Sequence, residues 1–330
     1  MVNRPSGIVT RTAVLLAVAA LAFGACSSRS GATIAPSTEA GASASPAAGG
    51  SKGTVNIAVN PWVGYEADAA VVGYLLKEKL GYTVQEKNLK EEISWQGFES
   101  GDVDVILENW GHDDLKKTYI DEKKVAVEVG PTGNKGIISW YVPPWLATAH
   151  PDVLDYKNLN TYADQFKTTE SGDKGQLLDG DPTYVTNDEA LVTNLKLNFK
   201  VVYAGSEAAL IEAFRTAETQ KKFLIGYFYE PQWFLSEVPL KRVSLPPYTA
   251  GCDADPKKVA CDYPDYVLDK VVSKKFADTS GDAYTLVKNF TWTNDDQNLV
   301  AGYVNSGMTH DEAAKKWVDA NEAKWQAWMP

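Results

Sequence analysis

Residues 101–114 read GDVDVILENWGHDD, a stretch in which an apolar run gives way to acidic residues around a tryptophan. The run at 103–107 has the length and composition of a β-strand. Trp110 stands just past its end, although a buried strand keeps its apolar side chains within the sheet. In α/β proteins, ligands bind where strands end and loops begin. The stretch therefore predicts a strand whose end carries a ligand-contacting loop.

Strands and helices alternate on both sides of this stretch. Before it, the sequence predicts a strand at 54–60, a helix at 65–80 and a strand at 82–89. After it, a helix is predicted at 113–122 and a strand at 125–129. This alternation is typical of an α/β layer.

The rest of the chain predicts a second α/β layer and a helical end. Its expected strands are at 137–142, 200–203, 222–228 and 243–245, and its expected helices are at 156–166, 187–197 and 206–220. From about residue 263 onward the sequence predicts helices, in which Trp317, Trp325 and Trp328 have a near-helical spacing typical of packing. We therefore predict two lobes, the first of residues 54–138 plus 244–330 and the second of residues 139–243.

The charge of the chain excludes one class of partner. The 330 residues have a formal net charge of −11, and the first 25 contain Arg4 and Arg11 and no acid, so the remainder carries −13. A surface of this sign repels nucleic acid and anionic lipid. We expect a small-molecule ligand, no nucleic acid and a monomer.

The N-terminus has the features of a secretory signal followed by a tether. Arg4 and Arg11 precede an apolar segment at 12–23, which has signal-peptide length and is short for a membrane span. Residues 23–26, FGAC, resemble the bacterial lipobox, so we predict a signal peptide at 1–25 and a lipid on Cys26. We expect residues 26–53 to form a flexible Ser/Ala/Gly-rich linker and the protein to be anchored on the extracytoplasmic face of the cell membrane. The alternative is an ordinary cleaved signal with an incidental cysteine.

Two cysteines remain after Cys26 is assigned to lipid. Cys252 and Cys261 enclose a short loop, GCDADPKKVAC, and the predicted compartment is oxidising. We expect a disulfide between them. A metal site is the alternative, but two cysteines without a nearby histidine make a poor one, so we expect no metal and no cofactor.

Four turn-like places next to predicted strands or helices carry aromatic residues. They contain Trp62, Trp110, Tyr184 and Tyr229. Ring faces attract cations, and several rings around one cavity can hold a trimethylammonium group, which has no N–H to donate. Rings from both lobes would couple binding to closure of the lobes.

The segments that carry these rings resemble those of the substrate-binding proteins of glycine betaine/proline-type ABC importers. The similar segments are GDVDVILENWGHDD at 101–114, IGYFYEPQWFLSEVPLKRVSLP at 225–246, DPTYVTNDEA at 181–190 and NPWVGYEA at 60–67. The resemblance covers most of residues 54–330. It implies a two-lobed type II periplasmic-binding-protein fold with a hinged ligand cleft.

The resemblance also implies a function and a set of site residues. The protein would be a lipoprotein that captures glycine betaine or a related quaternary ammonium solute and delivers it to an ABC permease. Trp110, Tyr229, Tyr184 and Trp62 would form an aromatic box, in which two tyrosines replace tryptophans of the family. His112 resembles a residue that bonds the ligand carboxylate.

Other interpretations of these residues remain open. Each ring of the box could instead be a packing residue, and Trp140 and Tyr141 are further ligand candidates for which hinge or core packing is favoured. Glu108 and Asp113 are interpreted as solvated or capping groups.

Other functions also remain open. The same fold could bind choline, carnitine, proline or another small solute. A secreted lipoprotein enzyme would need a nucleophile or a metal set, and only a cluster of His112, His150 and His310 would favour one. We find no catalytic motif and therefore predict that the protein is not an enzyme.

Overall fold

The computed structural model describes residues 51–330. The predicted signal peptide at 1–25, Cys26 and the linker up to residue 50 lie outside the described residues. Among residues 51–330, no helix combines the length and the apolar character that a membrane span requires.

The first part of the described chain follows the predicted alternation closely. Its elements are β1 (Thr54–Val59), α1 (Val63–Glu78), β2 (Thr83–Asn88), α2 (Glu91–Ser100), β3 (Val105–Asn109), α3 (Asp113–Lys116) and β4 (Ala126–Val142). One wide helical turn, Lys117–Glu122, extends α3. The strands predicted at 125–129 and 137–142 form one strand, β4, whose pairing with its neighbour is irregular near Gly130 and between Pro131 and Lys135.

The second part contains a strand that the sequence did not predict, β5. Its elements are α4 (Pro144–Ala149), α5 (Leu159–Tyr162), β5 (Gly175–Asp179), α6 (Asp188–Asn194), β6 (Phe199–Tyr203), α7 (Glu207–Gln220), β7 (Gly226–Glu230) and β8 (Lys241–Arg242), with single 3₁₀ turns at Pro151–Leu154, Tyr156–Asn158 and Trp233–Ser236. Ser206 caps α7, because its Oγ accepts a hydrogen bond of 3.2 Å from the Ala209 N–H.

The last part corrects the prediction that residues from about 263 onward are helical. Its elements are β9 (Asp265–Ser273), α8 (Lys274–Thr279), α9 (Gly281–Asn289), α10 (Asn294–Asn305), α11 (His310–Ala320) and α12 (Glu322–Gln326). β9 is a buried strand over its last six residues. Its valines at 267, 271 and 272 favour a strand, and antiparallel pairing with β3 and β4 fixes it.

One mixed sheet runs through the whole described chain. Its strand order is β2-β1-β3-β9-β4-β7-β5-β6, with β8 beside β4. The first half contains β1–β3, and the second half contains β5–β7. β4 connects them, because its early residues pair with β9 and residues 137–141 pair with β7. The α/β prediction is confirmed.

The C-terminal helices return to the first half. α10 and α11 pack against α1. Trp317, Trp325 and Trp328 are buried, and the rings of Trp317 and Trp328 stack with centroids 5.7 Å apart. The prediction that these tryptophans pack rather than bind is confirmed.

The segment between β8 and β9 lies against the second half. It contains the disulfide between Cys252 and Cys261. The Asn194 side chain donates to the Val259 carbonyl over 2.9 Å, and the Tyr263 hydroxyl donates to Asp188 over 2.7 Å, both in α6 of the second half. The predicted second lobe ended at residue 243, and we propose from these contacts that it extends to about residue 264.

Candidate functional site

A cavity lies between the two halves, where the ends of several strands meet. The space between its lining atoms is about 420 Å³, including the part that opens to solvent. Its lining residues are Trp62, Glu91, Trp110, His112, Ile138, Tyr184, Val185, Tyr227, Tyr229 and Tyr266.

Six aromatic rings dominate the lining, and we call them the aromatic cage. Neighbouring ring centroids are 5.6 to 6.0 Å apart along the series Trp62, Tyr184, Tyr227, Tyr229, Trp110 and Tyr266. Most pairs meet edge to face or tilted, which leaves ring faces available to a bound molecule. The cage therefore presents aromatic surface from both halves of the protein to one small space.

Glu108 fixes the two tryptophans of the cage. Its Oε1 accepts hydrogen bonds from the indole N–H groups of Trp62, over 2.8 Å, and Trp110, over 2.7 Å. Its Oε2 accepts a bond of 2.6 Å from the side chain of Gln297 in α10. Glu108 is only 3 % exposed, so its interpretation as a solvated or capping group is wrong. It lies in β3, which is buried throughout, and it contacts the indole N–H groups without lining the cavity itself.

Gly136 makes room for the Trp110 ring. It lies in β4 opposite Tyr266 of β9. A Cβ atom at this position would lie 2.5 Å from Cζ3 of Trp110 and 2.9 Å from Cδ2 of Leu268. The tryptophan ring therefore packs directly on the glycine backbone, and any side chain there would displace the ring.

Strand alternation places two tyrosines of β7 in the cavity. Tyr227 and Tyr229 point to the cavity, whereas Phe228 points to the opposite face and packs against Phe214 at 5.3 Å between centroids. Tyr229 was predicted from the sequence and Tyr227 was not, although the two-residue period of a strand places both on one face. Tyr266 was not predicted either, because it lies in the unpredicted β9.

Two hydrogen bonds cross from one half to the other at the cage. The Tyr184 hydroxyl donates to the Pro61 carbonyl over 3.0 Å. The Val63 N–H, at the start of α1, donates to Oε2 of Glu207 over 2.9 Å. Oε1 of Glu207 accepts from the Tyr229 hydroxyl and from Gln232. Burial raises the pKa of Glu207 to about 7, while the donors that point at it act in the opposite direction.

Glu91 and His112 form the polar edge of the cavity. The Nε2 atom of His112 lies 3.0 Å from Oε1 of Glu91. Burial acts to lower the pKa of His112, but the hydrogen bond to Glu91 and the charges of Glu91, Asp114 and Glu92 raise it above its ordinary value. The pair thus places an imidazole and a carboxyl side chain at this edge, and neither lysine nor arginine is among the described residues that line the cavity.

Five of the predicted site residues line this cavity, and two do not. Trp62, Trp110, His112, Tyr184 and Tyr229 are brought together. Their contact with a ligand remains a prediction.

Trp140 and Tyr141 instead lie in the core of the second half. The Trp140 indole donates to Asp188 over 2.9 Å, and Tyr141 packs against Phe228. The packing interpretation describes these two residues.

The three histidines are not brought together. His150 packs against Tyr162 and Phe223, and His310 bonds Glu66 and Glu86. Among residues 51–330, no group of three His, Cys, Asp or Glu side chains is arranged to hold a metal ion. The observation that would have favoured an enzyme is therefore not met.

Comparison with known proteins gives a consistent family. The family described as the substrate binding domain of ABC-type glycine betaine transport systems matches residues 53–320. The trimethylamine N-oxide-binding protein of Pelagibacter ubique (strain HTCC1062) is 28% identical over 286 residues, which are 83% of this chain and 90% of that protein.

Two solved structures share the fold. Lactococcal OpuAC, in its closed form with glycine betaine, has a TM-score of 0.67 and 22% identity over 84% of this chain and 100% of its own. A choline-binding protein of an ABC transporter, in complex with choline, has a TM-score of 0.67 and 19% identity over 83% of this chain and 91% of its own. The predicted two-lobed type II periplasmic-binding-protein fold is confirmed.

Proposed function

Since the chain belongs to the family of substrate-binding domains of ABC-type glycine betaine transport systems, we propose that its cavity captures glycine betaine or a related quaternary ammonium solute for import. The family consists of substrate-binding proteins of transport and not of enzymes. One observation carries the choice of ligand: six aromatic rings from both halves line the cavity, and no lysine or arginine of residues 51–330 lines it.

The cage suits a cation that carries methyl groups. A quaternary ammonium has no N–H to donate, so it gains little from oxygen acceptors and much from ring faces. Its methyl groups also gain from leaving water for an apolar space. Each cation–π contact contributes about 0.5 to 2 kcal/mol, and the larger values apply where water is excluded.

The relatives support the same chemical class. Their names refer to trimethylamine N-oxide, glycine betaine and choline, which share a trimethylated nitrogen and differ in the polar end. In this chain, the polar end of the solute would meet Glu91 and His112. A histidinium donates to a carboxylate or an N-oxide, and a carboxylate accepts from a hydroxyl. The same fold could therefore bind choline, carnitine, proline or another small solute, and these remain alternative ligands.

A ligand panel tests this proposal. Glycine betaine, choline, trimethylamine N-oxide, carnitine, proline betaine and proline would be titrated by calorimetry against residues 51–330. We expect tight binding of at least one trimethylated solute and weak binding of proline. Absence of heat and of thermal stabilisation with every trimethylated member would contradict the proposal.

We further propose that the protein is a lipid-anchored monomer that delivers its solute to a membrane permease. The lipobox-like FGAC at 23–26 and the linker after it support the anchor. Cys26→Ser should leave the protein released or unprocessed when cell fractions are compared. A mutant that stayed on the membrane and was cleaved at the same place would contradict the lipid anchor.

A further inference from the structure

We infer that Glu108 supplies a buried counter-charge for the bound cation, transmitted through the two indole rings that it holds. The inference rests on the proposed capture of a quaternary ammonium. Glu108 would not touch the ligand, so it acts as a positioning residue. It would also determine how strongly the cavity prefers a positively charged solute. Among solutes of one shape, the cage would then prefer the cationic one.

Both oxygens of Glu108 accept hydrogen bonds, as the oxygens of a carboxylate do. Three N–H groups point at its two oxygens, over 2.6 to 2.8 Å, and each of them is a donor. Such bonds favour the charged form of a buried acid. Within residues 51–330, no lysine, arginine or histidine lies at salt-bridge distance from Glu108. Its charge is therefore not neutralised by a neighbouring cation.

The other carboxylates at the cage have positive partners. Glu91 is paired with His112. Glu207 accepts from the N–H of Val63, which begins α1, and a helix N-terminus carries a partial positive charge. At Glu108, the hydrogen bonds come instead from two indoles and an amide.

One further acid lies next to Glu108. Asp68 is fully buried, and burial, followed by the charge of Glu108, raises its pKa well above its usual range. Burial and the neighbouring Glu108 carboxylate thus both favour the neutral form of Asp68. Lys270, which also influences Asp68, donates to the carbonyls of Lys288 and Phe290 and not to Glu108.

The position of Glu108 lets its charge reach a cation in the cage. A carboxylate on the N–H of an indole pushes electron density toward the ring, and the ring face attracts a cation within about 6 Å of its centroid. Both tryptophans share the same oxygen of Glu108, so one charge acts through two walls. Burial keeps solvent from screening this attraction.

Glu108→Gln removes the charge and keeps the geometry. The amide oxygen can still accept from both indoles, while the new NH₂ group would face Gln297. The Oε1 atom of Gln297 has no hydrogen-bond partner among the described residues, so a flip of that amide brings an acceptor to the new donor. The substitution therefore changes charge with little change of packing.

The test compares a trimethylammonium solute with the isostere that lacks the positive charge. Choline is paired with 3,3-dimethylbutan-1-ol, and glycine betaine with 3,3-dimethylbutanoate, in which carbon replaces the charged nitrogen. We expect Glu108→Gln to weaken binding of the cationic member by about tenfold, which is about 1.4 kcal/mol, and to leave the isostere within about twofold. An equal loss for both members would show that Glu108 only holds the rings in place and would overturn the inference.

Three further variants complete the test. The double variant Asp68→Asn/Glu108→Gln has no carboxyl group at residue 68 that could ionise in place of Glu108. Its preference for the cation over the isostere should therefore fall at least as far as in Glu108→Gln. Glu108→Asp keeps the charge but cannot reach both indoles, so both affinities should fall and the preference for the cation should lie between those of the unmodified protein and Glu108→Gln. This variant also tests the inference if Glu108→Gln fails to fold, because an unchanged preference in it would contradict transmission through the two indoles. Glu78→Gln removes an exposed charge of α1 outside the cavity lining and should change neither affinity by more than about twofold.

The result also separates this inference from the proposed function. If the unmodified protein binds no quaternary ammonium, the proposed function fails. If it prefers the cation and Glu108→Gln keeps the same preference, only the counter-charge fails.

Discussion

Trp110 shows how much of this site is decided around a single side chain. Its indole N–H is fixed by Glu108, and its ring packs on Gly136 and meets the edges of Tyr229 and Tyr266. The position of Trp110 past a strand end predicted its place in the site. The role of Glu108 could not be predicted in the same way. Two of its hydrogen-bond partners, Trp62 and Gln297, lie 46 and 189 positions away in the chain.

At the residue scale, we predict the effect of removing the Trp110 ring. Trp110→Ala should weaken binding of the preferred quaternary ammonium by ~2 to 3 kcal/mol, or about 30- to 150-fold, since a cation–π face and apolar contact are both lost. Trp110→Tyr keeps a ring face and should cost much less. Calorimetry measures both.

A matched control for Trp110 lies far from the cavity. Trp325 is a buried tryptophan of α12, so Trp325→Ala should lower the melting temperature without changing affinity. Unchanged affinity in Trp110→Ala would show that its ring only packs.

At the scale of elements, local patterns predicted most strands and helices near their observed positions. The main error was β9, which lies within a stretch assigned to helices. Its neighbours in the sheet are β3 and the early part of β4, more than 120 residues earlier in the chain. Such pairing is invisible to a pattern that covers only neighbouring residues. Tyr266 was missed for the same reason, since its place in the cage depends on β9.

The close approach of β4 to the cage gives the second prediction. Gly136→Ala should push the Trp110 ring out of position and weaken binding by about tenfold, since overpacking typically costs about 1 to 3 kcal/mol. Gly302→Ala in α10 is the control, because a Cβ there meets no atom within 4 Å. Equal affinities of the two variants would contradict direct packing of Trp110 on Gly136.

The contact of α11 with α1 and β2 gives a prediction about pH. His310 bonds Glu86 over 2.7 Å and Glu66 over 3.4 Å, and these bonds raise the pKa of His310 to about 10. A raised histidine pKa adds stability that is complete below about pH 6.5 and is lost as pH rises through 10. His310→Gln should therefore lower the free energy of unfolding by ~1 kcal/mol at pH 6 and by much less at pH 10.5. Chemical denaturation at both pH values measures this, and an equal loss at the two would indicate packing instead of charge.

At the scale of the whole molecule, the halves are joined by β4 and by contacts at the cage. Four rings selected from the sequence, on Trp62, Trp110, Tyr184 and Tyr229, do line one cavity. Each of the four rings was predicted to lie past or beside a strand or helix end. Because an α/β layer brings strand ends together, their convergence on one cavity could be predicted. The hydrogen bonds between the halves were not predictable, since they depend on how closely the halves approach.

One of those bonds can be removed without removing a ring. Tyr184→Phe loses the bond to the Pro61 carbonyl and keeps the aromatic face. Binding should weaken by about 3- to 10-fold, the net value of one hydrogen bond, mainly through faster ligand release. Tyr203→Phe is the control, because the Tyr203 hydroxyl bonds Glu189 within the second half. Stopped-flow release rates that rise equally in both variants would contradict a bond that holds the halves together.

The burial of the cage has a consequence for the medium in which the protein works. Trp62, Trp110 and Tyr229 are at most 9 % exposed, so dissolved ions cannot come between these rings and a captured cation. A site built from exposed ion pairs loses strength as salt shortens the Debye length from about 10 Å at 0.1 M to about 3 Å at 1 M. A buried aromatic site keeps its strength over the same range. The proposed capture of a quaternary ammonium would therefore be as effective in concentrated brine as in dilute water.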